Sequence, residues 1–336
     1  MDITLLKSIG TLIFGIIVLV FSGDYLVRGS VAIANHFKIS SLVIGLTVVA
    51  FGTSAPELIV SLEAAITGHP EIALGNVIGS NIVNIALVLA LTVIILPMPV
   101  STQTIKRSWP IMFISGLVLY VTMHNGIISH IEGLIMFALL ILFIISSIKS
   151  SKRFEVSIPI LKPKNEYKIW VYLVFVVLAS GGLALGSRFL VLGASDIAAF
   201  WGVSERVISI TIVAFGTSIP ELTASIIAAV KKETDISVGN IIGSNIFNVF
   251  AVIGITSSIS VIPVNFPEFR IDLNFMIAIY LLLFIFMLPM AYLFKKEERF
   301  SILGKYKGIS GSRISRVEGL LLLLTYITYI VVVFKF

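Results

Sequence analysis

The sequence contains no cysteine, which excludes disulfides, thiolate catalysis and zinc–sulfur sites. It is also short of charge: Asp, Glu, Lys and Arg make up 12% of the 336 residues, about half the share usual for a soluble protein. Signatures of enzymes are missing too, with no H-E-x-x-H, G-x-S-x-G or P-loop. What fills the space is apolar: 57% of residues are hydrophobic and the mean hydropathy is +1.07. A water-soluble globule of this composition would expose more apolar surface than its polar groups could cover, and a disordered chain this apolar would collapse. There is no alternating apolar and polar pattern of the outer-membrane type. The composition therefore predicts an all-α, polytopic membrane protein. The net charge of +6 is read as a topology signal in loops rather than as affinity for nucleic acid.

A membrane helix needs roughly 20 mostly apolar residues. Ten segments meet that scale, near 6–31, 41–66, 72–97, 108–124, 128–148, 168–197, 205–230, 236–262, 272–294 and 316–334. The first is interrupted by Gly23, Asp24 and Arg28 and has no small-residue cleavage site after it, unlike a signal peptide. Loops after the odd-numbered spans hold most of the Lys and Arg, including Lys106, Arg107, Lys149, Lys152, Arg153, Lys231 and Lys232. The opposite side holds only Lys7, Arg206, Arg270 and Lys335. By the positive-inside rule, both termini are expected outside and the basic linker 149–167 in the cytoplasm, in a cell inner (cytoplasmic) membrane.

The chain repeats itself at a constant offset of 164 residues: 41–84 aligns without a gap to 205–248, with 24 of 44 positions identical. A weaker match runs upstream, from 26–34 to 190–198. The expected organisation is a first five-helix repeat at 1–148, the linker at 149–167, and a second five-helix repeat at 168–336. An odd number of spans turns the second copy over, giving the inverted repeats found in secondary transporters, whose sites lie near the midplane.

The repeats carry the chemistry. Span 2 contains Gly52-Thr53-Ser54-Ala55-Pro56-Glu57 and span 7 contains Gly216-Thr217-Ser218-Ile219-Pro220-Glu221. Proline lacks an N–H and clashes one turn back, so each span is expected to break in mid-membrane, leaving carbonyls such as those of Ala50 and Ala214 short of partners. Such carbonyls are tolerated only against protein or a wet cavity. Glu57 and Glu221 follow at the same depth, and an ionisable side chain there is by default functional. Spans 3 and 8 add GN-x-IGSN-x-x-N, placing Ser80 with Asn84, and Ser244 with Asn248, on one helix face each. Asn76, Asn81, Asn240 and Asn245 are read as bonds between helices, as polar residues in membrane interfaces usually are. Oxygen-only ligation with two carboxylates suits Ca²⁺ or Na⁺ and disfavours zinc, copper or iron.

These paired GTS-x-PE and GN-x-IGSN-x-x-N segments resemble the two α-repeats of the sodium/calcium exchanger family, within the cation/calcium antiporter superfamily, in its short prokaryotic form. The resemblance implies alternating-access exchange of Na⁺ for Ca²⁺; the exchange is expected to be electrogenic from the energetics of calcium export, and no cofactor and no enzymatic activity are expected. It implies ligands at Ala50, Thr53, Ser54, Glu57, Ser80 and Asn84, and at Ala214, Thr217, Ser218, Glu221, Ser244 and Asn248. The partners it implies are the two ions and the lipid bilayer, with no nucleic acid and no obligatory protein partner. Some relatives, potassium-dependent ones included, carry Asp where this chain has Asn248, which argues against potassium co-transport. The proton/calcium branch typically reads GNATE where this chain reads GNVIG.

The remaining intramembrane charges are expected to be structural: Asp24 and Arg28 as a pair four residues apart, Arg188 reaching for the interface. Glu63 lies near the outer end of span 2, an entrance charge at most. None of His36, His69, His124 and His130 lies at the centre. Two other readings compete, a proton-coupled or broader-specificity cation/Ca²⁺ antiporter and, in a different class, a passive cation channel. The motif serines lack the histidine that an enzyme nucleophile needs.

Overall fold

The computed structural model describes residues 3–151, 167–203, 214–288 and 312–335. Residues 152–166 of the basic linker 149–167, the start of the seventh span with Arg206, and the basic segment 289–311 lie outside the described residues. Helices α1 (Ile3–Phe37), α2 (Ser41–Thr53), α3 (Ala55–Ile66) and α4 (Pro70–Ile95) lead into α5 (Trp109–His124) and α6 (His130–Ser151). The second half has α7 (Ile169–Phe200), a short α8 (Ala214–Gly216), α9 (Ile219–Val230), α10 (Thr234–Ile259), α11 (Phe266–Met287) and α12 (Arg316–Lys335). Among the described residues seven helices are long and apolar enough to cross a bilayer, or eight if α2 and α3 are one bent span. The protein is a multi-pass membrane protein.

The helices sort by burial. In the most apolar stretch of α10, 94% of residues are buried, against 11% in α12 and 17% in α1. Large side chains such as Phe21, Val177, Leu178 and Val331 face outward, where lipid tails solvate them as well as a core would. The inner layer is therefore α2, α3, α4, α9 and α10, the helices that hold the motifs. Glycines bring α10 close to α2: a Cβ on Gly243 would lie 2.8 Å from both the Leu46 Cα and the Ala50 Cβ.

Local structure recurs at the 164-residue offset. Helical turns widen to π geometry at Asn84–Leu89 and again at Asn248–Ile253, each starting at a motif asparagine. Left-handed backbone occurs at Lys38 and Gly202, and at Gly68 and Lys232, so the turn is the same even where lysine occupies it at a cost of about 1 kcal/mol. Four two-residue strands were not foreseen. β1 (Met98–Pro99) pairs with β4 (Arg313–Ile314), and β2 (Ile127–Ile128) with β3 (Ile262–Pro263), all antiparallel. Each pair joins one half of the chain to the other, so extended connections at helix ends satisfy their backbone groups by crossing between halves.

One span lies elsewhere than expected. The ninth, placed at 272–294, runs from Phe266 to Met287. It starts early because Pro267 and Glu268 suit a first helical turn. It stops early because Leu288, extended with ψ 138, precedes Pro289, whose ring disfavours helix in the residue before it.

Candidate cation site

The breaks at the two prolines are present. Ser54 has φ −86 and ψ 4, Ser218 has φ −87 and ψ 1, and α2 and α3 meet at 45°. Both carboxylates therefore fall in the first turn of a new helix, Glu57 in α3 and Glu221 in α9, where the positive end of the helix dipole favours a negative group. Both are fully buried and close enough to interact electrostatically. Among the described residues no third acidic or histidine side chain joins them.

The reading of the carbonyls needs correction in the first repeat. The Ala50 carbonyl accepts the Ser54 N–H at 2.9 Å and lies 3.3 Å from the Thr53 hydroxyl, so the break does not leave it without partners. Proline at position 56 removes the donor four residues on from Gly52, not from Ala50. In the second repeat the Ser218 N–H bonds Phe215 at 3.1 Å, one residue short of Ala214. There the Gly216 carbonyl, which Pro220 cannot serve, is taken by the Ser187 hydroxyl of α7.

Reciprocal bonds tie the motifs together. The Asn76 Nδ2 donates to Ser61 at 2.9 Å and lies 3.3 Å from the Glu57 carbonyl. Asn240 does the same with Ser225 at 3.0 Å and the Glu221 carbonyl at 3.4 Å. The oxygen of each amide then meets the threonine of the other repeat: Thr53 donates to Asn240 at 3.1 Å, and Thr217 lies 3.5 Å from Asn76. Thr53 also lies 3.3 Å from Ser244, and Ser54 donates across to Glu221 at 3.1 Å. The asparagines at 76 and 240 thus bond between helices, as expected, and in doing so hold each carboxylate-bearing turn in place.

After these bonds are made, several buried polar atoms at motif positions keep no hydrogen-bond partner: both oxygens of Glu57, Oε2 of Glu221, Oγ of Ser218, Oδ1 of Asn248, and both amide atoms of Asn84. Among the described residues the others are only the hydroxyls of Ser30, Ser195 and Thr256. A buried polar group without a partner costs about 1–3 kcal/mol, more if charged, so the oxygens among these atoms are candidate ligands for a cation. Of the sequence-derived candidates, Glu57, Glu221, Ser218, Asn84 and Asn248 supply such atoms, Ser80 and Ser244 are buried beside them in sequence on the same helices, and Thr53, Thr217 and Ser54 are engaged in cross-repeat bonds. Sequence reasoning missed Ser187, Tyr280 and Met276, whose partners lie far away along the chain. Asp24 pairs with Arg28 at 2.7 Å as expected, and also with Lys231 beyond α9. Arg188 is exposed.

Known proteins match nearly the whole chain. The family model described as sodium/calcium exchanger protein matches residues 7–149 and 171–335. The putative antiporter CaxA of Alkalimonas amylolytica is 37% identical over 323 residues, covering 94% of this chain and 95% of its own. The sodium/calcium exchanger MaX1 of Methanosarcina acetivorans is 28% identical over 361 residues, covering 96% and 97%. A solved structure of the sodium-calcium exchanger NCX_Mj, soaked with Na⁺ and Ca²⁺, superposes with a TM-score of 0.77 at 32% identity, covering 98% and 99%. With both halves matched, and the match spanning the broken helices and their carboxylates, the chain belongs to the sodium/calcium exchanger family.

Proposed function

We propose that this protein is an electrogenic antiporter exchanging Na⁺ for Ca²⁺ across the cell membrane by alternating access. The observation that carries the reading is that buried oxygens at motif positions of both repeats, those of Glu57 and Glu221 among them, are left without hydrogen-bond partners. Two carboxylates neutralise one Ca²⁺, and neutral hydroxyl and amide oxygens complete a hard-cation shell. The ligand set is Thr53, Ser54, Glu57, Ser80 and Asn84 with Ala214, Thr217, Ser218, Glu221, Ser244 and Asn248, Ala214 acting through its carbonyl; the Ala50 carbonyl, which already accepts from Ser54 and Thr53, would join only by giving up the Thr53 hydroxyl.

The architecture that goes with this function is ten spans in two inverted five-helix repeats, 1–148 and 168–336, joined by the cytoplasmic linker 149–167, with both termini outside. The strand pairs support that topology. Residues 98–99 meet 313–314, and 127–128 meet 262–263, as required if the connections after spans 3 and 9 share one side and those after spans 4 and 8 the other. Gly239 and Gly243 are packed on α2, and repeats related by inversion can exchange their arrangements to move access from one side to the other.

Sealed proteoliposomes test the proposal. Calcium uptake should require a sodium gradient of opposite direction and should not follow from a proton or potassium gradient alone. Uptake without any counter-gradient would identify a channel, and uptake driven by protons alone would identify the proton-coupled alternative.

A further inference from the structure

Asn81 and Asn245 occupy equivalent positions in the two repeats, yet α11 holds them differently. The Asn245 Oδ1 accepts the Tyr280 hydroxyl at 3.0 Å, and its Nδ2 donates to the Ile241 carbonyl at 2.7 Å. The Asn81 Nδ2 instead faces the Met276 sulfur at 3.7 Å, and its Oδ1 accepts from the Asn248 Nδ2 at 3.1 Å. Met276 and Tyr280 are one turn apart on the same helix face, so a single element fixes both amides.

The chemistry of the sulfur sets the direction of the Asn81 chain. A thioether accepts a hydrogen bond weakly and cannot donate one, so it favours the NH₂ end of Asn81. The oxygen of Asn81 then faces Asn248, and only the NH₂ of Asn248 can answer it. What remains is the Asn248 Oδ1, buried and without a donor. Asn84, the equivalent residue of the first repeat, has neither end of its amide held.

We infer that Asn81 is a positioning residue, held by Met276 and bonded to Asn248, that keeps the Asn248 amide turned with its oxygen toward the transported cation. Without it the amide can rotate and present its NH₂ group, which repels a cation. The inference rests on the reading of Asn248 as a ligand. It also separates the two repeats functionally: one amide is set as an acceptor before the ion arrives, the other is set by the ion.

A substitution cycle in proteoliposomes tests it, reading half-saturating Ca²⁺ and Na⁺ concentrations separately from maximal rate. Groups that orient a ligand typically change metal affinity by about 10- to 100-fold when removed, and Asn81→Ala is expected to raise half-saturation by about tenfold. In an Asn248→Asp background the same change should cost less than about twofold, because both outer atoms of a carboxyl are oxygen and rotation no longer matters. The added acidic group is common to both members of that second pair. An equal loss in both backgrounds would show that Asn81 acts through packing, and no loss in either would also overturn the inference. If Asn81→Ala does not fold by thermal melting, Met276→Leu keeps the shape, removes the sulfur, and should give a smaller loss with the same dependence on Asn248. Unchanged affinity in Asn248→Ala would overturn the ligand reading itself, and this inference with it.

Discussion

Glu57 and Glu221 sit at matched positions but are not equally held. Glu221 receives the Ser54 hydroxyl, whereas neither oxygen of Glu57 has a hydrogen-bond partner. Replacing either by glutamine removes one of the two charges that neutralise Ca²⁺, and a buried unpaired charge costs several kcal/mol. Glu57→Gln and Glu221→Gln are expected to abolish calcium binding and transport while the protein still folds. Isothermal calcium titration alongside a thermal melt checks this, and full calcium exchange in either variant would make the glutamates structural. Tyr280 is expected to act on stability instead. Tyr280→Phe leaves the buried Asn245 oxygen without its donor, at about 1–3 kcal/mol, and a lowered melting temperature with unchanged ion half-saturation is the expected result. The carboxylates were legible in the sequence because charge at membrane depth is rare. Tyr280 and Met276 were not, since an aromatic or a methionine in an apolar helix looks the same whether or not it meets an amide.

At the scale of elements, the sequence foretold broken helices from proline alone, and the structure shows how the freed groups are dealt with. The repair differs between copies: Ser187 reaches the Gly216 carbonyl from α7, while position 23, its equivalent, is a glycine packed against Ile227 and Thr223. Nothing in local spacing signals such a cap, because the donor comes from a helix outside the repeat motif. The glycines offer a sharper test. Gly243→Ala would drive a Cβ into the α2 backbone at 2.8 Å, and overpacking of this kind costs about 1–3 kcal/mol. A lowered melting temperature of Gly243→Ala is the expected result, and an unchanged one would contradict the close packing of α10 on α2.

For the whole molecule, the expected net movement of charge follows from energetics. Assume a 10⁴-fold calcium gradient and 100 mV, inside negative. Exporting Ca²⁺ then costs about 5.5 kcal/mol for concentration and about 4.6 kcal/mol for two charges. Each Na⁺ entering down a tenfold gradient returns about 1.4 kcal/mol for concentration and about 2.3 kcal/mol for charge. Two Na⁺ fall short of the cost and three just meet it. More than two Na⁺ per Ca²⁺ are therefore expected when the protein exports calcium, and exchange in vesicles should respond to an imposed potential. Exchange indifferent to potential would refute this stoichiometry.

Membrane residence, duplication at an offset of 164 residues, and a break at a proline beside a glutamate in each copy were all legible in the order of residues. These follow from composition, periodicity and the covalent limits of proline, which act locally. Which polar atoms the protein uses up and which it leaves unpartnered was settled by the packing of helices against one another. Asn81 and Asn245 are read alike in sequence, yet one accepts from Asn248 and faces the Met276 sulfur while the other accepts the Tyr280 hydroxyl. The same holds for Ala50, whose carbonyl the break does not free. Hydrogen-bond satisfaction is settled between helices that are distant in the chain, and no window of sequence contains both partners.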